Sequence, residues 1–114
     1  MTAPIHLTGT SVESILQPRG IRPGADRGTP LVRSTAVASG DGAAGIWESE
    51  PGGWPVLDRA DTEVCYIQSG SGTVTDLATG QTFELRAGDL LVLPEGWSGR
   101  WDVHETLRKV YVTY

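Results

Sequence analysis

The chain has 114 residues, of which 39% are hydrophobic and 20% charged, and it contains fifteen glycines and seven prolines. This length is enough for one domain with its own hydrophobic core, so folding requires neither disulfide bonds nor a structural metal. The single cysteine excludes an internal disulfide and a paired-cysteine zinc site. The net charge of −5 argues against a general affinity for nucleic acid or for an anionic membrane.

The beginning of the chain and its hydropathy predict a cytoplasmic protein without a membrane partner. The first ten residues, MTAPIHLTGT, lack the basic-then-apolar order of a secretory signal peptide. No run approaches the roughly 18 uninterrupted apolar residues that a membrane-spanning helix needs.

Residues 1–41 form a segment of different composition, which we predict to be an extended amino-terminal arm. Residues 1–40 carry four arginines and two acidic residues, whereas the remainder carries five basic and twelve acidic residues. The run PRGIRPGADRGTP has no sustained periodicity, so at most one short strand is expected there. Apolar residues at Val12, Ile15 and Leu16 have helical spacing, but Pro18 limits that helix to about one turn. We expect the arm to pack on the rest of the chain or on a partner subunit.

Residues 42–114 show short runs of β-branched and aromatic residues separated by turn residues about every 8–12 positions. This spacing predicts an all-β sandwich or closed barrel in a single domain. A hairpin turn is expected at Ser69–Gly72, and another turn at Pro94-Glu95-Gly96. The predicted strands are Ala44–Ser49, Trp54–Leu57, Glu63–Gln68, Gly72–Asp76, Gln81–Arg86, Leu90–Leu93, Gly99–Val103 and Leu107–Thr113.

Strand alternation singles out two charged residues, one on an apolar face and one on a face that mixes aromatic and hydroxyl groups. Glu63 shares a face with Cys65 and Ile67, so it either lies at the exposed beginning of its strand or enters a pocket. Lys109 shares a face with Tyr111 and is either a solvated residue that discourages edge pairing or a pocket cation opposite Glu63. Both pairs of alternatives are compatible with the pattern.

Four tryptophans are many for a chain of this size. Tryptophans are usually core or interface anchors, and they form a ligand platform when several converge on one cavity. Gly99, Trp101 and Val103 are predicted to be the inward-facing set of their strand. The four are Trp47, Trp54, Trp97 and Trp101.

Two spacings in this region resemble the motifs of the cupin superfamily. Glu63 and Gly70 have the spacing E-x6-G, and Gly88, Pro94 and Gly96 have the spacing G-x5-P-x-G. The segments GIWE, EVC and WDVHETLRKVY are similar to those of cupins related to ureidoglycine aminohydrolase and to the ethanolamine-utilisation cupins. The resemblance covers residues 42–114 and implies a double-stranded β-helix, which is a jelly-roll barrel with one open mouth, commonly assembled as a homodimer.

The resemblance also indicates a degenerate metal site. In metal-bearing cupins, two histidines and the glutamate of the first motif, with one histidine of the second, hold a divalent metal. Here the histidine pair would fall within Val56–Arg59 and the second-motif histidine maps to Gly99, so only Glu63 remains. One carboxylate cannot hold a transition metal, which needs three or more donors. We therefore predict no cofactor.

A divalent metal is the less favoured alternative. Its ligands would be Glu63, Asp58 and His104, with Cys65 on the same face as Glu63. His104 is expected in a turn between the last two strands, where a surface histidine is the ordinary outcome.

These observations together predict a small-molecule-binding cupin, with its status as an enzyme left open. A carboxylate inside an apolar barrel is costly without a partner, and Lys109 is the candidate partner of Glu63. Such a pair would recognise a polar or zwitterionic metabolite, and the resemblance to ureidoglycine aminohydrolase suggests a small nitrogenous one. The alternative is a non-catalytic ligand-sensing or assembly module, such as a dimeric cupin. The candidate catalytic residues are Glu63 and Lys109, and the candidate ligand-binding residues are Trp47, Cys65, Trp101 and Tyr111.

Overall fold

A computed structural model describes residues 3–114 and confirms the all-β, jelly-roll prediction. A 3-10 turn (Gly9–Ser11) and one turn of α-helix, α1 (Val12–Ile15), precede eight strands. The strands are β1 (Gln17–Ile21), β2 (Leu31–Ser39), β3 (Gly42–Ser49), β4 (Gly52–Val56), β5 (Glu63–Asp76), β6 (Thr82–Arg86), β7 (Leu90–Leu93) and β8 (Gly99–Thr113). Neither helical segment has the length and hydropathy needed to cross a bilayer.

All strand pairs are antiparallel, and the two longest strands organise the barrel. The strand order is β1-β2-β3-β8-β5-β6, with β4 also pairing β8 and β7 also pairing β5. In one wall the strand order is β3-β8-β5-β7, built from the carboxyl-terminal half of β8 and the amino-terminal half of β5. In the other wall the order is β4-β8-β5-β6, built from the remaining halves of the same two strands. The long strands therefore belong to both walls of the rolled sheet.

The prediction that β5 and β8 are each two separate strands is wrong. Ser69–Gly72 is not a hairpin, because β5 continues through it with register shifts between Ile67 and Gly72. At Gly70, φ is +86°, and a side chain would overlap the carbonyl oxygen of Thr106. The small residues therefore mark β-bulges at which the paired strands bend, and a bulge has much the same local composition as a turn. His104, expected in a turn, lies within β8.

The amino-terminal arm has more structure than predicted. It contains two strands, and β2 pairs with β3 over eight residues, so the expectation of at most one short strand is wrong. The single helical turn is confirmed, and Val12, Leu16 and Val32 are buried. Long-range pairing with β3 stabilises β2, and a local pattern of small and polar residues does not reveal that pairing. Residues 1–2 of the predicted arm lie outside the described part of the chain.

The hydrophobic core fills the space between the two walls. The predicted inward set is confirmed, because Gly99, Trp101 and Val103 are all buried. Trp47 and Tyr111 are partly buried and pack against the core at one mouth of the barrel. The fully buried cluster consists of Trp54, Cys65, Ile67, Val74, Leu85, Leu93, Trp101, Val103 and Leu107.

Candidate functional site

Strand register brings the predicted site residues to one mouth of the barrel. Trp47 on β3 is paired with Lys109 on β8, and Trp54 on β4 is paired with Trp101 on β8. Glu63 is the first residue of β5, which borders β8 on its other side. Because opposed residues of antiparallel strands share a face, these side chains all point toward the barrel interior.

Glu63 and Lys109 form a buried ion pair. Each residue is only 7% exposed, and the Nζ atom of Lys109 donates to Oε2 of Glu63 at 2.5 Å. The interpretations that placed Glu63 at an exposed strand start and Lys109 on a solvated edge are therefore wrong. An ammonium and a carboxylate in this arrangement form a charge-assisted hydrogen bond, which is stronger than one between neutral groups.

Three of the four tryptophans surround this pair. The Nζ atom of Lys109 lies 4.5 Å from the ring centroids of both Trp47 and Trp101. Trp54 stacks on Trp101 at 6.4 Å with an interplanar angle of 13°. The fourth, Trp97, lies outside this group, and its indole donates to Asp76. Lys109 is thus held by one carboxylate and two cation–π contacts.

Two arginines, neither of them a predicted site residue, also line the site. Arg59 lies 3.4 Å from Oε1 of Glu63 and 2.8 Å from Oδ1 of Asp61. The guanidinium carbon of Arg22 lies 5.3 Å from the centroid of the Trp54 ring. Arg59 lies in the segment where the cupin motif would have its histidine pair, and that position alone could have predicted it as a site residue. Arg22 reaches the site from the arm, and no local pattern indicates that contact.

These side chains line a cavity of about 130 Å³ that opens to solvent. Burial raises the pKa of Tyr111 above its ordinary value, and the negative charge of Glu63 adds to the effect, so its hydroxyl stays neutral. Cys65 does not line the cavity but is 1% exposed within the core. Burial raises the pKa of the Cys65 thiol to about 11. The lining residues are Arg22, Trp47, Trp54, Val56, Arg59, Glu63, Trp101, Lys109 and Tyr111.

The proposed alternative metal ligands do not come together. Asp58 is exposed in the loop before β5, where its amide donates to Ser98. His104 is exposed on β8 and lines a different cavity of about 460 Å³, beside Glu105 at the bend of the long strands. Within residues 3–114, no three His, Cys, Asp or Glu side chains gather closely enough to hold a metal ion.

The residues at the barrel mouth do not fit the divalent metal of metal-bearing cupins. A side chain at Gly99, the position of the second-motif histidine, would overlap the Thr75 carbonyl oxygen and the Trp97 ring. The remaining carboxylate, Glu63, already faces the cations of Lys109 and Arg59. Both oxygens of the single carboxylate therefore already face positive groups, whereas a transition metal needs three or more donors.

The rolled sheet with a cavity at one mouth defines a cupin. Residues 37–111 match the model of the EutQ-like cupin domain, and the chain belongs to this family. Family membership and the cavity together support a small-molecule-binding cupin. No curated protein matches the sequence significantly.

Solved structures of this family have the same fold. The EutQ protein of Clostridium difficile is 19% identical with a TM-score of 0.65, over 78% of this chain and 75% of that protein. An ethanolamine utilization protein Q from Salmonella typhimurium LT2 is 22% identical with a TM-score of 0.67, over 83% of this chain and 76% of that protein. A DUF861-family protein from Thermotoga maritima is 36% identical with a TM-score of 0.54, over 58% of this chain and 73% of that protein.

Proposed function

We propose that this protein is a metal-independent cupin that binds a small, polar, nitrogenous metabolite at the mouth of its barrel. The ammonium of Lys109 is then the cation at Glu63, where metal-bearing relatives have a divalent ion. One observation carries the proposal, namely the buried 2.5 Å pair of Lys109 and Glu63 on the wall of a solvent-accessible cavity. A protein rarely keeps a charged pair at such a position for stability alone, because desolvation offsets much of the attraction.

The pair retains hydrogen-bonding capacity for a ligand. A carboxylate has about four lone-pair sites, and Glu63 uses one for Lys109, while Arg59 approaches the other oxygen at 3.4 Å. An ammonium has three donors, of which Lys109 uses one on Glu63. A ligand with an N–H donor next to an acceptor, such as an amine, amide or ureide, meets both groups at once.

The cavity limits the ligand in size and gives it apolar walls. Its volume of about 130 Å³ lies below the roughly 300–1,000 Å³ of sites for drug-sized molecules. Indole rings supply most of the apolar lining, and Glu63 and Lys109 are each only 7% exposed, so water has little access to the hydrogen bond between them. The same arrangement suits proton transfer, in which Glu63 accepts a proton and Lys109 stabilises negative charge that develops on the ligand.

Glycinamide is a suitable test molecule because it offers N–H donors and an acceptor but no carboxylate. We expect it to shift the indole N–H signals of Trp47, Trp54 and Trp101 in a two-dimensional NMR titration, with Trp97 as the internal reference. Glu63→Gln should weaken the apparent affinity at least about tenfold, because a charged acceptor is lost. The matched control is Glu105→Gln, an exposed carboxylate on β8 that should leave the titration unchanged. Equal affinity in the wild type and in Glu63→Gln would contradict the proposal.

An assembly module is the second candidate, and the outer face of the barrel favours it. Tyr66 lies opposite both Leu90 and Val110 in the sheet, and all three are exposed. The next row places the exposed Val92 and Val112 on either side of β5. These exposed apolar side chains occupy three neighbouring strands, β7, β5 and β8, and form one contiguous patch, which is a common mark of an interaction surface.

We propose a second copy of this chain as the occupant of that face, since the same apolar patch on two copies can meet across a two-fold axis. Sedimentation of the wild-type chain should then show a reversible dimer, and Tyr66→Lys should yield monomers at the same concentration. Thr73→Lys is the control, because that half-buried position lies in the other half of β5. A wild-type monomer at high protein concentration would contradict this proposal and leave the ligand-binding one intact.

A further inference from the structure

The candidate site carries an excess of positive charge. Three cations and one carboxylate line it: Arg22, Arg59, Lys109 and Glu63. The whole chain has a net charge of −5, so this concentration of cations is local. Lys109 is neutralised by Glu63, and Arg59 is largely neutralised by Asp61 from outside the cavity. The charge that remains belongs to Arg22.

Arg22 has contacts that position its guanidinium without neutralising it. One nitrogen donates to the carbonyl oxygen of Pro23 at 2.7 Å, and the group lies over Trp54. In the described chain, residues 3–114, Arg22 pairs with no carboxylate. Burial lowers the pKa of Arg22, and the positive charge of Arg59 contributes, although an arginine stays protonated at neutral pH. A half-buried cation that faces a second cation favours the binding of an anion.

The arm holds Arg22 in this place through ion pairs with the barrel. Arg27 lies 3.0 Å from Asp102, and Asp26 lies 2.9 Å from Arg100, so both anchor the segment that follows Arg22 to β8. The backbone amide of Arg22 also donates to Pro30 at 2.9 Å. The guanidinium is thus presented by an anchored loop, which limits the entropy lost when a ligand binds.

We propose that Arg22 and Arg59 form a carboxylate-binding subsite, so that the ligand is a small zwitterion with an anionic and a nitrogenous end. This inference rests on the proposed function, in which the nitrogenous end lies at Glu63 and Lys109. A guanidinium presents a planar fork of donors that matches the two oxygens of a carboxylate. With one acidic side chain and three basic ones in a small cavity, the site matches both ends of an amino-acid-like molecule.

Acetate and methyl acetate test the subsite, because they share the acetyl group and differ in charge, and neither carries the N–H donor that would meet Glu63. Each is titrated into the 114-residue chain at constant ionic strength, and the indole N–H signals of the three cavity tryptophans are followed, with Trp97 as reference. Acetate should give saturable shifts and methyl acetate none of comparable size. Arg22→Gln should weaken acetate binding about tenfold or more, as expected for the loss of a charge-assisted hydrogen bond.

Two further variants give the result its specificity. Arg22→Lys keeps the positive charge but not the planar fork of donors, so it should recover only part of the acetate affinity that Arg22→Gln loses. Arg86→Gln removes an exposed arginine that pairs with Glu84 outside the cavity, and it should bind acetate like the wild type. If Arg22→Gln fails to fold, the contrast between acetate and methyl acetate in the wild type, and its reduction in Arg22→Lys, still decide the matter.

The outcomes separate this inference from the proposed function. Equal shifts with acetate and methyl acetate, or undiminished acetate binding in Arg22→Gln, would overturn the subsite. If glycinamide binds in a Glu63-dependent manner while acetate does not bind, the subsite is wrong and the proposed function stands. If acetate binds through Arg22 while glycinamide does not bind, the anion site stands but the nitrogenous ligand is wrong.

Discussion

The two faces of β8 invert the usual distribution of charge and apolar surface. On the inner face, Lys109 is 7% exposed, although it carries a full charge. On the outer face, Val110 and Val112 are 40% and 46% exposed, although they are apolar. The inner face accepts a charge because a carboxylate and two indoles surround it, and the outer face leaves apolar side chains without such a cover.

This difference agrees with the two contacts proposed above. Exposed apolar surface gains stability when it is buried against another apolar surface, which needs no specific polar partner. The inner pair is specific, since each group depends on a partner at a fixed distance. The outer face also carries ion pairs, at Arg100 and Asp102, where water reaches the charges. The contribution of an ion pair to the free energy of unfolding can therefore be compared between the two faces.

The largest expected effect comes from breaking the inner pair. Lys109→Met leaves Glu63 buried without its nearest cation and should lower the free energy of unfolding by about 3 kcal/mol. Arg59 remains 3.4 Å from Glu63 and limits the loss. The double variant Lys109→Met with Glu63→Gln should lose less free energy of unfolding than the single variant, because it leaves no buried carboxylate without its cation. Urea denaturation measures all three values.

Arg86→Met is the control for that experiment, because its ion pair with Glu84 is exposed at both ends. It should change the free energy of unfolding by no more than about 0.5 kcal/mol. A loss of similar size in Arg86→Met and Lys109→Met would mean that the buried pair contributes no more to stability than an exposed one, which would contradict the prediction.

A smaller effect is expected for the ion pairs on the outer face. The hydrogen bond from Arg100 lowers the pKa of Asp102 below its ordinary value, and Arg27 adds to the effect. Since the folded pKa is depressed, this stabilisation is complete above the unfolded pKa of about 4 and is lost as the pH falls through the folded value. Asp102→Asn should cost about 1 kcal/mol at pH 7, with the difference from wild type narrowing below pH 4.

Thermal unfolding from pH 7 to pH 2 measures that difference, with Asp41→Asn, at an exposed position, as the control. A difference that widens as the pH falls would have the wrong sign and would contradict the assignment of Asp102 as a charged acceptor.

The smallest effect is expected for the apolar side chains of the outer face. Val112→Thr should change the free energy of unfolding by less than about 0.5 kcal/mol, because its side chain is half exposed in one chain. The measurement is made at a concentration at which sedimentation shows monomers. A loss well above that value at such dilution would indicate that Val112 is covered within a single chain.

The sequence was sufficient to predict the fold because the informative residues are local. The spacings between Glu63 and Gly70 and between Gly88 and Pro94 fix positions along single strands and turns. The extent of β5 and β8 could not be predicted, because bulges at glycine have the same local composition as turns. Strand β2 was missed because its pairing with β3 is a long-range contact.

The candidate site could be predicted only in part, for a related physical reason. Alternation placed Lys109 and Tyr111 on one face, but it could not decide whether that face was inside. That choice depends on the energy of contacts between distant segments, here the pairing of Lys109 with Glu63. Arg22 was missed because its contact with Trp54 requires the arm to fold across the barrel.

Elemental analysis of the untagged protein tests the central claim most directly, because the claim is that an ammonium serves as the cation at Glu63. Inductively coupled plasma mass spectrometry should find less than about one transition-metal atom per ten chains after purification without chelators. The same low value is expected for Glu63→Gln. Near-stoichiometric manganese, iron, nickel or zinc that disappears in Glu63→Gln would contradict the account.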